Sequence, residues 1–365
     1  MNRKLRVGIV FGGKSAEHEI SLQSAKNVAN ALDTEKYEVT LIGIDTSGQW
    51  LLPNQSRFLL NENNSKLVKL NKENAQTVAL VPENGGEFAN LTESQSHTSV
   101  DVIFPLLHGP FGEDGTVQGL LKLANVPFVG SGVLGSAVGM DKDVMKRLLR
   151  DAGISVAKFR VFRQGDALEF ESVKRKLGMP VFVKPANLGS SVGVSKVRNQ
   201  KEFEAAVVNA FHYDTKILIE EMIVGREIEC GVLGNQNPLA SVVGEVLPSQ
   251  EFYSYEAKYI DEHGAVLKIP ADISKRKQVE VQELAITTFR TLECEGLGRV
   301  DFFLKESGEL FVNEINTMPG FTSASMYPRL WEASGVPYSD LIDRLIQLAI
   351  ERFDREQKLE TSHSL

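Results

Sequence analysis

Two pairs of polar residues near the end of the chain have the spacing of a cation site. Glu314 and Asn316 lie two positions apart after an apolar stretch, so on a strand both side chains would point to one face. Arg299 and Asp301 repeat this spacing on an earlier apolar stretch. If the two strands are neighbours, Asp301, Glu314 and Asn316 present three oxygen ligands, which Mg²⁺ binds together with water and substrate phosphates. Either stretch alone also fits an ordinary half-buried strand.

A segment rich in glycine and serine, residues 187–193, has the composition of a phosphate-binding flap. It joins two predicted strands, so its backbone N–H groups and the Ser190 hydroxyl could cover phosphate oxygens. Lys184 on the incoming strand and Lys142 at a helix start would add positive charge. An ordinary flexible hairpin is the alternative.

Acidic and apolar residues beyond this flap could bind a nucleoside. Glu220 and Glu221 end a predicted strand and precede the apolar Met222 and Ile223, an edge that suits an adenine ring. Glu227 is close enough in sequence to serve a ribose hydroxyl. Taken alone, these acidic residues would be a solvated strand end.

The N-terminal glycines match the phosphate loop of P-loop nucleotide hydrolases, because residues 8–15 read G-x-x-x-x-G-K-S. That loop must leave its strand at the first glycine so that backbone N–H groups turn inward. Here the apolar residues 9–11 continue the strand, and we interpret the match as accidental. Glu17, just after the turn, could instead meet the ammonium group of a ligand.

His108 and the acidic turn 112–115 follow a predicted buried strand, 100–107. In an open α/β sheet, ligands bind beyond the carboxyl ends of the strands. This turn is therefore a candidate wall of a ligand site. A surface histidine without a function is the alternative.

The composition is that of a globular protein with more than one domain. The chain has 365 residues, of which 42% are hydrophobic and 24% charged. Its formal net charge of −8 disfavours sequence-independent binding to nucleic acid. The two cysteines, Cys230 and Cys294, do not form a disulfide framework, and no stretch has the length of a membrane span or signal-peptide core. We expect a cytoplasmic protein without membrane or nucleic-acid partners.

The predicted elements divide the chain into three parts. Residues 1–140 form an open parallel α/β domain, with a polar insertion at about 46–99 that we interpret as decorating short strands and loops. Residues 141–224 form a small α+β unit around the flap, and residues 225–365 form a second one with the ligand strands. The expected helices cover 21–32, 115–124, 140–152, 202–211, 275–292 and 338–352. The other expected strands cover 5–11, 37–44, 157–162, 180–184, 192–197, 216–221, 227–233 and 241–247.

The motifs, in this order, resemble the ATP-grasp fold. The likeness rests on Lys142, Lys184 with the flap, Glu220 with Glu227, Arg299 with Asp301, and Glu314 with Asn316. Three further features are similar to D-alanine–D-alanine ligases: residues 11–21 (Phe-Gly-Gly-Lys-Ser-Ala-Glu-His-Glu-Ile-Ser), His108-Gly109 with the turn 112–115, and residues 316–322 (Asn-Thr-Met-Pro-Gly-Phe-Thr). The resemblance covers nearly the whole chain except the insertion and the C-terminal tail. It implies a two-subdomain ATP-grasp fold after the N-terminal domain.

The resemblance also implies a reaction and a site. The reaction is ATP-dependent joining of two D-alanine molecules through an acyl phosphate, for peptidoglycan synthesis, with two Mg²⁺ or Mn²⁺ ions. The metal ligands would be Asp301, Glu314 and Asn316. The ATP contacts would be Lys142, Lys184, Ser190, Glu220, Glu221, Ile223, Glu227, Lys258, Asn313 and Glu314. Glu17 and His108 would serve the first D-alanine, Arg299 and the N–H of Gly320 the oxyanion, and Ser325 with the backbone of Met326 the carboxylate of the second D-alanine.

Residues 252–259 resemble the lid loop of this family. Lys258 would approach the γ-phosphate, and Tyr259 would join Ser190 and Glu17 in a hydrogen-bonded trio. Since related ligases that use D-lactate carry histidine in place of this tyrosine, the lid favours D-alanine as acceptor. D-lactate or D-serine as acceptor is the alternative, and a nucleotide-binding regulator without turnover is the alternative from another class. The family is commonly dimeric, so we expect a homodimer.

Overall fold

The computed structural model describes residues 3–62, 64, 67–92, 97–248 and 265–360. The strands are β1 (Leu5–Gly12), β2 (Tyr37–Ile44), β3 (Trp50–Leu52), β4 (Leu59–Leu60), β5 (Lys69–Leu70), β6 (Gln76–Leu80), β7 (Glu87–Asn90), β8 (His97–Ser99), β9 (Val102–Leu106), β10 (Phe159–Arg163), β11 (Val181–Pro185), β12 (Ser195–Val197), β13 (Lys216–Glu221), β14 (Arg226–Gly234), β15 (Leu239–Pro248), β16 (Ala265–Lys268), β17 (Gly296–Leu304) and β18 (Leu310–Asn316). The helices are α1 (His18–Ala31), α2 (Thr116–Leu123), α3 (Val133–Met140), α4 (Lys142–Asp151), α5 (Phe170–Leu177), α6 (Gln200–Phe211), α7 (Lys275–Thr291), α8 (Met326–Ala333) and α9 (Tyr338–Glu356).

The first sheet has the order β8-β7-β6-β3-β2-β1-β9. β1 pairs in parallel with β2 and β9, as predicted, whereas the strands of the insertion extend the sheet by antiparallel pairing. Leu59 and Leu70 of the β4–β5 hairpin lie in the same core cluster as Phe11, whose ring contacts Phe58 edge-on at 5.4 Å. The interpretation of the insertion as decoration was therefore wrong, because its apolar residues complete the core of this domain.

The second sheet has the order β10-β13-β11-β12 and packs with α6 around its own core. Its strand β13 has the predicted bounds. The return strand β12 is shorter than the predicted 192–197. Ser190, Ser191 and Gly193 have positive φ angles of 53°, 59° and 71°, so the chain turns there instead of extending.

The third sheet has the order β16-β15-β14-β17-β18 and is covered by α7, whose Val281, Ala285 and Phe289 are fully buried. The sequence predicted that the strand with Arg299 and Asp301 lies beside the strand with Glu314 and Asn316. This prediction is confirmed, because β17 pairs with β18.

The first and third sheets are joined by one continuous core. Leu341 and Leu345 of α9 share a cluster with residues of β1, α1 and β9. The buried Arg352 donates a hydrogen bond to Phe128 O at 2.8 Å and stacks over the Phe128 ring at 4.4 Å. These contacts fix the turns at the end of the first sheet relative to the strands of the third.

The helices α3, α5 and α8 were not predicted, and α1 begins three residues earlier than expected. In α3, Gly135 and Gly139 lower the intrinsic helix propensity and hide the pattern. Packing requires them, because a Cβ would lie 2.5 Å from Glu293 O at position 135 and 2.9 Å from Thr317 Cγ2 at position 139. The helix expected over 140–152 is divided by Asp141, whose side chain accepts from the backbone N–H groups at the start of α4. Within the described ranges, every helix is too short or too polar to span a bilayer.

Candidate active site

Polar residues from three neighbouring strands form two rows across one face of the third sheet. Glu229 on β14 pairs with Asp301 on β17, and Asp301 pairs with Glu314 on β18. In the adjacent row, Arg299 pairs with Asn316. Residues directly opposite each other on paired strands point to the same face. The rows therefore bring together all four residues predicted from their spacing, together with Glu229.

A β-bulge puts Glu314 on this face. Asp301 pairs with Glu314, but the next residue, Phe302, pairs with Val312, so Asn313 is an extra residue on β18. Leu310 and Val312 point into the core before the bulge and Ile315 does so after it. Without the bulge, strict alternation would place Glu314 on the same face as Val312.

Arg299 is held by two carboxylates. Its Nε and Nη2 donate to the two oxygens of Asp301 at 2.7 Å each, and Nε lies 2.9 Å from Glu229 Oε2. Asn316 Nδ2 donates to Asp301 Oδ2 at 3.0 Å. Burial opposes the charge on the guanidinium, but Asp301 and Glu229 outweigh it and raise the pKa of Arg299 well above its ordinary value. The guanidinium is therefore charged and locked in direction.

The donor set fits a divalent cation. Glu229, Asp301 and Glu314 carry three negative charges around the single guanidinium of Arg299, and their carboxylate oxygens with the Asn316 amide are the ligands that Mg²⁺ prefers. Over the ranges described here, no group of three or more His, Cys, Asp or Glu is arranged to hold a metal. Amide, phosphate or water oxygens would complete the coordination.

Glu220 is clamped between two lysines below the flap. Its Oε2 lies 2.5 Å from Lys184 Nζ, and its Oε1 lies 3.2 Å from Lys146 Nζ. Lys146 is fully buried, and Nζ also donates to Asn313 O at 3.2 Å. Burial alone would raise the pKa of Glu220, but the two lysines outweigh it and lower that pKa, while burial lowers the pKa of Lys146. These three residues connect β11, β13 and α4, and Lys146 also links them to Asn313 on β18.

The flap closes onto the first domain at Glu17. Ser190 donates its hydroxyl hydrogen to Glu17 Oε1. Glu17 Oε2 lies 3.4 Å from where a Cβ on Gly189 would be and 3.2 Å from the corresponding position on Gly109. Lys142 Nζ donates to Leu188 O at 2.7 Å, which ties α4 to the same flap. Three turns from different parts of the chain thus converge on one carboxylate.

A narrow cleft lies beside this convergence. Its lining includes Glu113, Lys142, Gly189, Glu314 and Asn316. The predicted phosphate contact Lys142, Gly189 of the flap, and two of the three predicted metal ligands, Glu314 and Asn316, therefore line one cavity.

The loop after β18 packs against the turn after β9. Met318 O is 3.0 Å from His108 Nδ1, and Met318 N donates to Glu113 Oε1 at 3.2 Å. Burial lowers the pKa of His108, although Glu17 opposes this, so the ring is neutral near pH 7. Burial and the Glu17 carboxylate raise the pKa of Glu113 to about 8. His108 therefore contacts the backbone of the loop with one ring nitrogen, a role that its sequence position did not reveal.

The predicted second-substrate residues lie at the start of α8. Thr322 N donates to Ser325 Oγ at 3.1 Å, and a Cβ on Gly320 would lie 2.9 Å from the same oxygen. Ser325 precedes Met326, the first residue of α8. The N–H groups of a first helical turn have no partner inside the helix, so they are available to a carboxylate.

The other predicted ATP contacts lie near the end of β13, on β14, or outside the described residues. The Glu221 side chain accepts a hydrogen bond from Lys158 N at 2.9 Å, and Glu221 stays a predicted ATP contact. Ile223 is partly buried between β13 and β14, and Glu227 lies one row beyond Glu229 on the same face. Lys258 and Tyr259 of the predicted lid fall outside the described residues.

Three residues of the site were missed in the sequence. Lys146 follows Lys142 by one helical turn, so both lie on one face of α4. Glu229 follows Glu227 at the spacing of one strand face. Glu113 belongs to the acidic turn that was recognised only as a site wall. The spacing of each of these residues could be seen in the sequence, but no sequence pattern identified the residue that it contacts in the structure.

Two family models match the chain, the D-ala D-ala ligase N-terminus over residues 6–131 and the D-ala D-ala ligase C-terminus over residues 148–347. The chain belongs to the D-alanine–D-alanine ligase family. A D-alanine–D-alanine ligase from Oceanobacillus iheyensis is 56% identical over 366 residues, covering 99% of each chain. The solved D-alanine–D-alanine ligase from Coxiella burnetii is 40% identical, with a TM-score of 0.85 over 97% of this chain and 96% of that chain. The VanG D-Ala:D-Ser ligase from Enterococcus faecalis is 36% identical, with a TM-score of 0.84 over 95% of this chain and 100% of that chain.

Membership of the D-alanine–D-alanine ligase family confirms the resemblance and the predicted ATP-grasp fold. It also agrees with an enzyme that uses ATP.

Proposed function

We infer that the protein joins two D-alanine molecules to D-alanyl-D-alanine, converts ATP to ADP and phosphate, and supplies a peptidoglycan precursor. The observation that carries this function is one cleft lined by Lys142, Gly189 of the flap, Glu314 and Asn316, beside the hydrogen bond from Ser190 to Glu17, in a chain of this family. The chemistry of each group supports a role in one of two steps.

In the first step, a carboxylate oxygen of one D-alanine attacks the γ-phosphorus of ATP. A new O–P bond forms, the bond from the γ-phosphorus to the β,γ-bridging oxygen breaks, and ADP leaves. Lys142 and Lys184 hold the triphosphate, and Glu17 holds the ammonium group of the D-alanine. A divalent cation, or a pair of them, on Asp301, Glu314 and Asn316 would offset the negative charge of the phosphates.

Glu220 and Glu227 support binding of the adenosine part, with the backbone beside Glu221 and Ile223 as the adenine edge. Lys184 is paired with Glu220 at 2.5 Å, and Lys146 and Lys184 together lower the pKa of Glu220, so this carboxylate is held charged beside the proposed nucleotide site. Asn313 contributes through its backbone, whose carbonyl accepts from Lys146.

In the second step, the neutral amine of the second D-alanine attacks the acyl carbon. A C–N bond forms, the bond to the phosphate oxygen breaks, phosphate leaves, and the amine loses a proton. The ion pairs of Arg299 use Nε and Nη2, and we assign Nη1 and the N–H of Gly320 as the donors to the oxyanion. Ser325 and the N–H of Met326 receive the carboxylate of the second substrate.

The acceptor is tested by competition. Purified protein is given ATP, Mg²⁺ and equal D-alanine, D-lactate and D-serine, and the products are weighed by mass spectrometry. We expect D-alanyl-D-alanine to dominate at neutral pH. Since the VanG D-Ala:D-Ser ligase shares the fold, D-serine is the informative competitor, and a dominant D-alanyl-D-serine product would move the protein to that acceptor class. Phosphate release without any dipeptide or ester would refute ligation.

The three-part division at residues 1–140, 141–224 and 225–365 is also part of this proposal, supported by one main sheet in each part. The resemblance further supports a lid at 252–259 with Lys258 and Tyr259, a homodimer and a cytoplasmic location. Sedimentation of the purified protein tests the dimer.

A further inference from the structure

The loop that carries Gly320 is anchored upstream by two side chains of the first domain. Glu113 Oε1 accepts from Met318 N at 3.2 Å, and His108 Nδ1 donates to Met318 O at 3.0 Å. These partners lie 205 and 210 positions earlier in the chain. Both backbone polar groups of Met318 are therefore held by the turn after β9.

The same loop is anchored downstream at Phe321. Its ring is fully buried and meets Phe104 edge-on at 5.6 Å. Phe321 N donates to Ser24 Oγ at 3.3 Å, and Phe321 O accepts from Tyr338 at 2.6 Å. Gly320 lies between the two anchors. With Phe321 fixed, the hold on Met318 sets the direction of the Gly320 N–H.

Glu113 also connects this loop to the first-substrate side. Its Oε2 accepts from Gly109 N at 2.8 Å, and Gly109 is the residue whose Cβ position lies 3.2 Å from Glu17 Oε2. One carboxyl group thus fixes the turn beside Glu17 and the turn beside the oxyanion.

We propose that Glu113 is a positioning residue for the second step, because its hydrogen bond to Met318 N holds residues 318–320 so that the Gly320 N–H meets the developing oxyanion. This role rests on the proposed function. If the N–H is displaced, attack by the amine slows while the acyl phosphate remains. Water then attacks the phosphorus of the acyl phosphate, a step that needs no oxyanion donor: its oxygen bonds to phosphorus, the bond from phosphorus to the acyl oxygen breaks, and D-alanine and phosphate are released without dipeptide.

The test compares Glu113→Gln with Asp114→Asn in the full-length protein. Glutamine keeps the shape of glutamate but presents an NH₂ group that cannot accept from one of the two N–H donors. Asp114 is a matched control, since it accepts from Thr116 N at 2.9 Å and from Phe111 N at 2.8 Å but binds within its own turn. Phosphate and dipeptide are measured in the same reaction with ATP, Mg²⁺ and D-alanine, and ATP affinity is measured by calorimetry.

For Glu113→Gln we expect the kcat for dipeptide to fall about 10- to 100-fold, as for a misplaced oxyanion donor. The ratio of phosphate to dipeptide should rise severalfold, with ATP affinity within about twofold of wild type. Asp114→Asn should keep the wild-type ratio. A general loss of stability would lower both products together and leave their ratio unchanged.

The positioning role would be overturned if Glu113→Gln kept the wild-type ratio of phosphate to dipeptide, whether or not its KM for D-alanine rose. If Glu113→Gln does not fold, Glu113→Asp, which keeps the carboxyl group but shortens the reach, is judged by the same ratio. Absence of dipeptide from the wild type and from Asp114→Asn would refute the proposed function itself, a result that is distinct from uncoupling in Glu113→Gln alone.

Discussion

Ser190, on the flap between β11 and β12, donates its hydroxyl hydrogen to the carboxylate of Glu17, 173 positions earlier in the chain. Ser190 has a φ of 53°, a left-handed backbone that costs a non-glycine residue about 1 kcal/mol. The hydrogen bond to Glu17 offsets this cost only while the flap is closed. Closure and the first-substrate carboxylate are therefore coupled.

Replacing Ser190 by alanine should open this contact. Because the flap then covers the first substrate less well, we expect KM for D-alanine to rise and kcat/KM to fall by about 10-fold, equivalent to about 1.4 kcal/mol. Ser191→Ala is the matched variant, since Ser191 has a similar φ of 59° and controls for backbone strain. Steady-state kinetics of both variants measure the difference. Equal losses would mean that strain, not the bond to Glu17, determines the effect.

Arg299→Ala should lower turnover by roughly 100- to 1,000-fold and leave ATP binding nearly intact, because an oxyanion donor acts in the transition state. Alanine also leaves Glu229 and Asp301 without their guanidinium, so Arg299→Lys is measured beside it. Arg226→Ala, which removes a paired arginine at the Glu245 end of β14, should keep turnover. Calorimetry with ATP and kcat are the readouts. Loss of ATP binding in Arg299→Lys would place the arginine in the nucleotide site instead.

Glu314→Gln should raise the Mg²⁺ concentration needed for half-maximal activity by about 10-fold or more, because one of the anionic oxygen ligands becomes neutral. Chelation of divalent ions should stop dipeptide formation by the wild type. Glu309→Gln removes an exposed carboxylate just before β18 and should leave the Mg²⁺ dependence unchanged. The measurement is activity as a function of Mg²⁺ concentration. Identical titration curves for Glu314→Gln and Glu309→Gln would exclude Glu314 as a metal ligand.

The Asp101 carboxylate should contribute stability that acid removes. Burial opposes its charge, but hydrogen bonds from Arg6 outweigh this and lower the pKa of Asp101 below its ordinary value of 3.8. A carboxyl group with a lowered pKa stabilises the fold above about pH 4 and loses this contribution as the pH falls through the folded pKa.

Asp101→Asn should therefore lower stability by about 1 kcal/mol at pH 7, a value reduced for its partial exposure, with a smaller difference at pH 3. Thermal unfolding at both pH values measures the gap. Asp151→Asn, at the exposed end of α4, is the charge-matched control. If the stability difference between the wild type and Asp101→Asn were the same at both pH values, the ion pair with Arg6 would not be the source of that difference.

The sequence alone identified the family and the ATP-grasp fold, and it predicted Lys142, Glu314 and Asn316, which line the cleft. Spacing was sufficient for Arg299 and Asp301, which are hydrogen-bonded to each other, because positions two apart on a strand share a face. Glycines hid α3, since their role is to admit Glu293 O and Thr317 at close distance, which no local pattern records.

Tertiary structure decided which face and which partner each residue has. Alternation from Val312 would have turned Glu314 into the core, and the bulge at Asn313 reverses this because pairing with β17 admits one extra residue. In the sequence, Lys146 is indistinguishable from a surface residue of an amphipathic helix. In the structure its Nζ lies beside Glu220 and Asn313 O. Glu113 acquires its role only when the loop at Met318 packs on it. These contacts form because the first and third sheets share one core. The residues that make them are far apart in the chain, so no local sequence pattern predicts them.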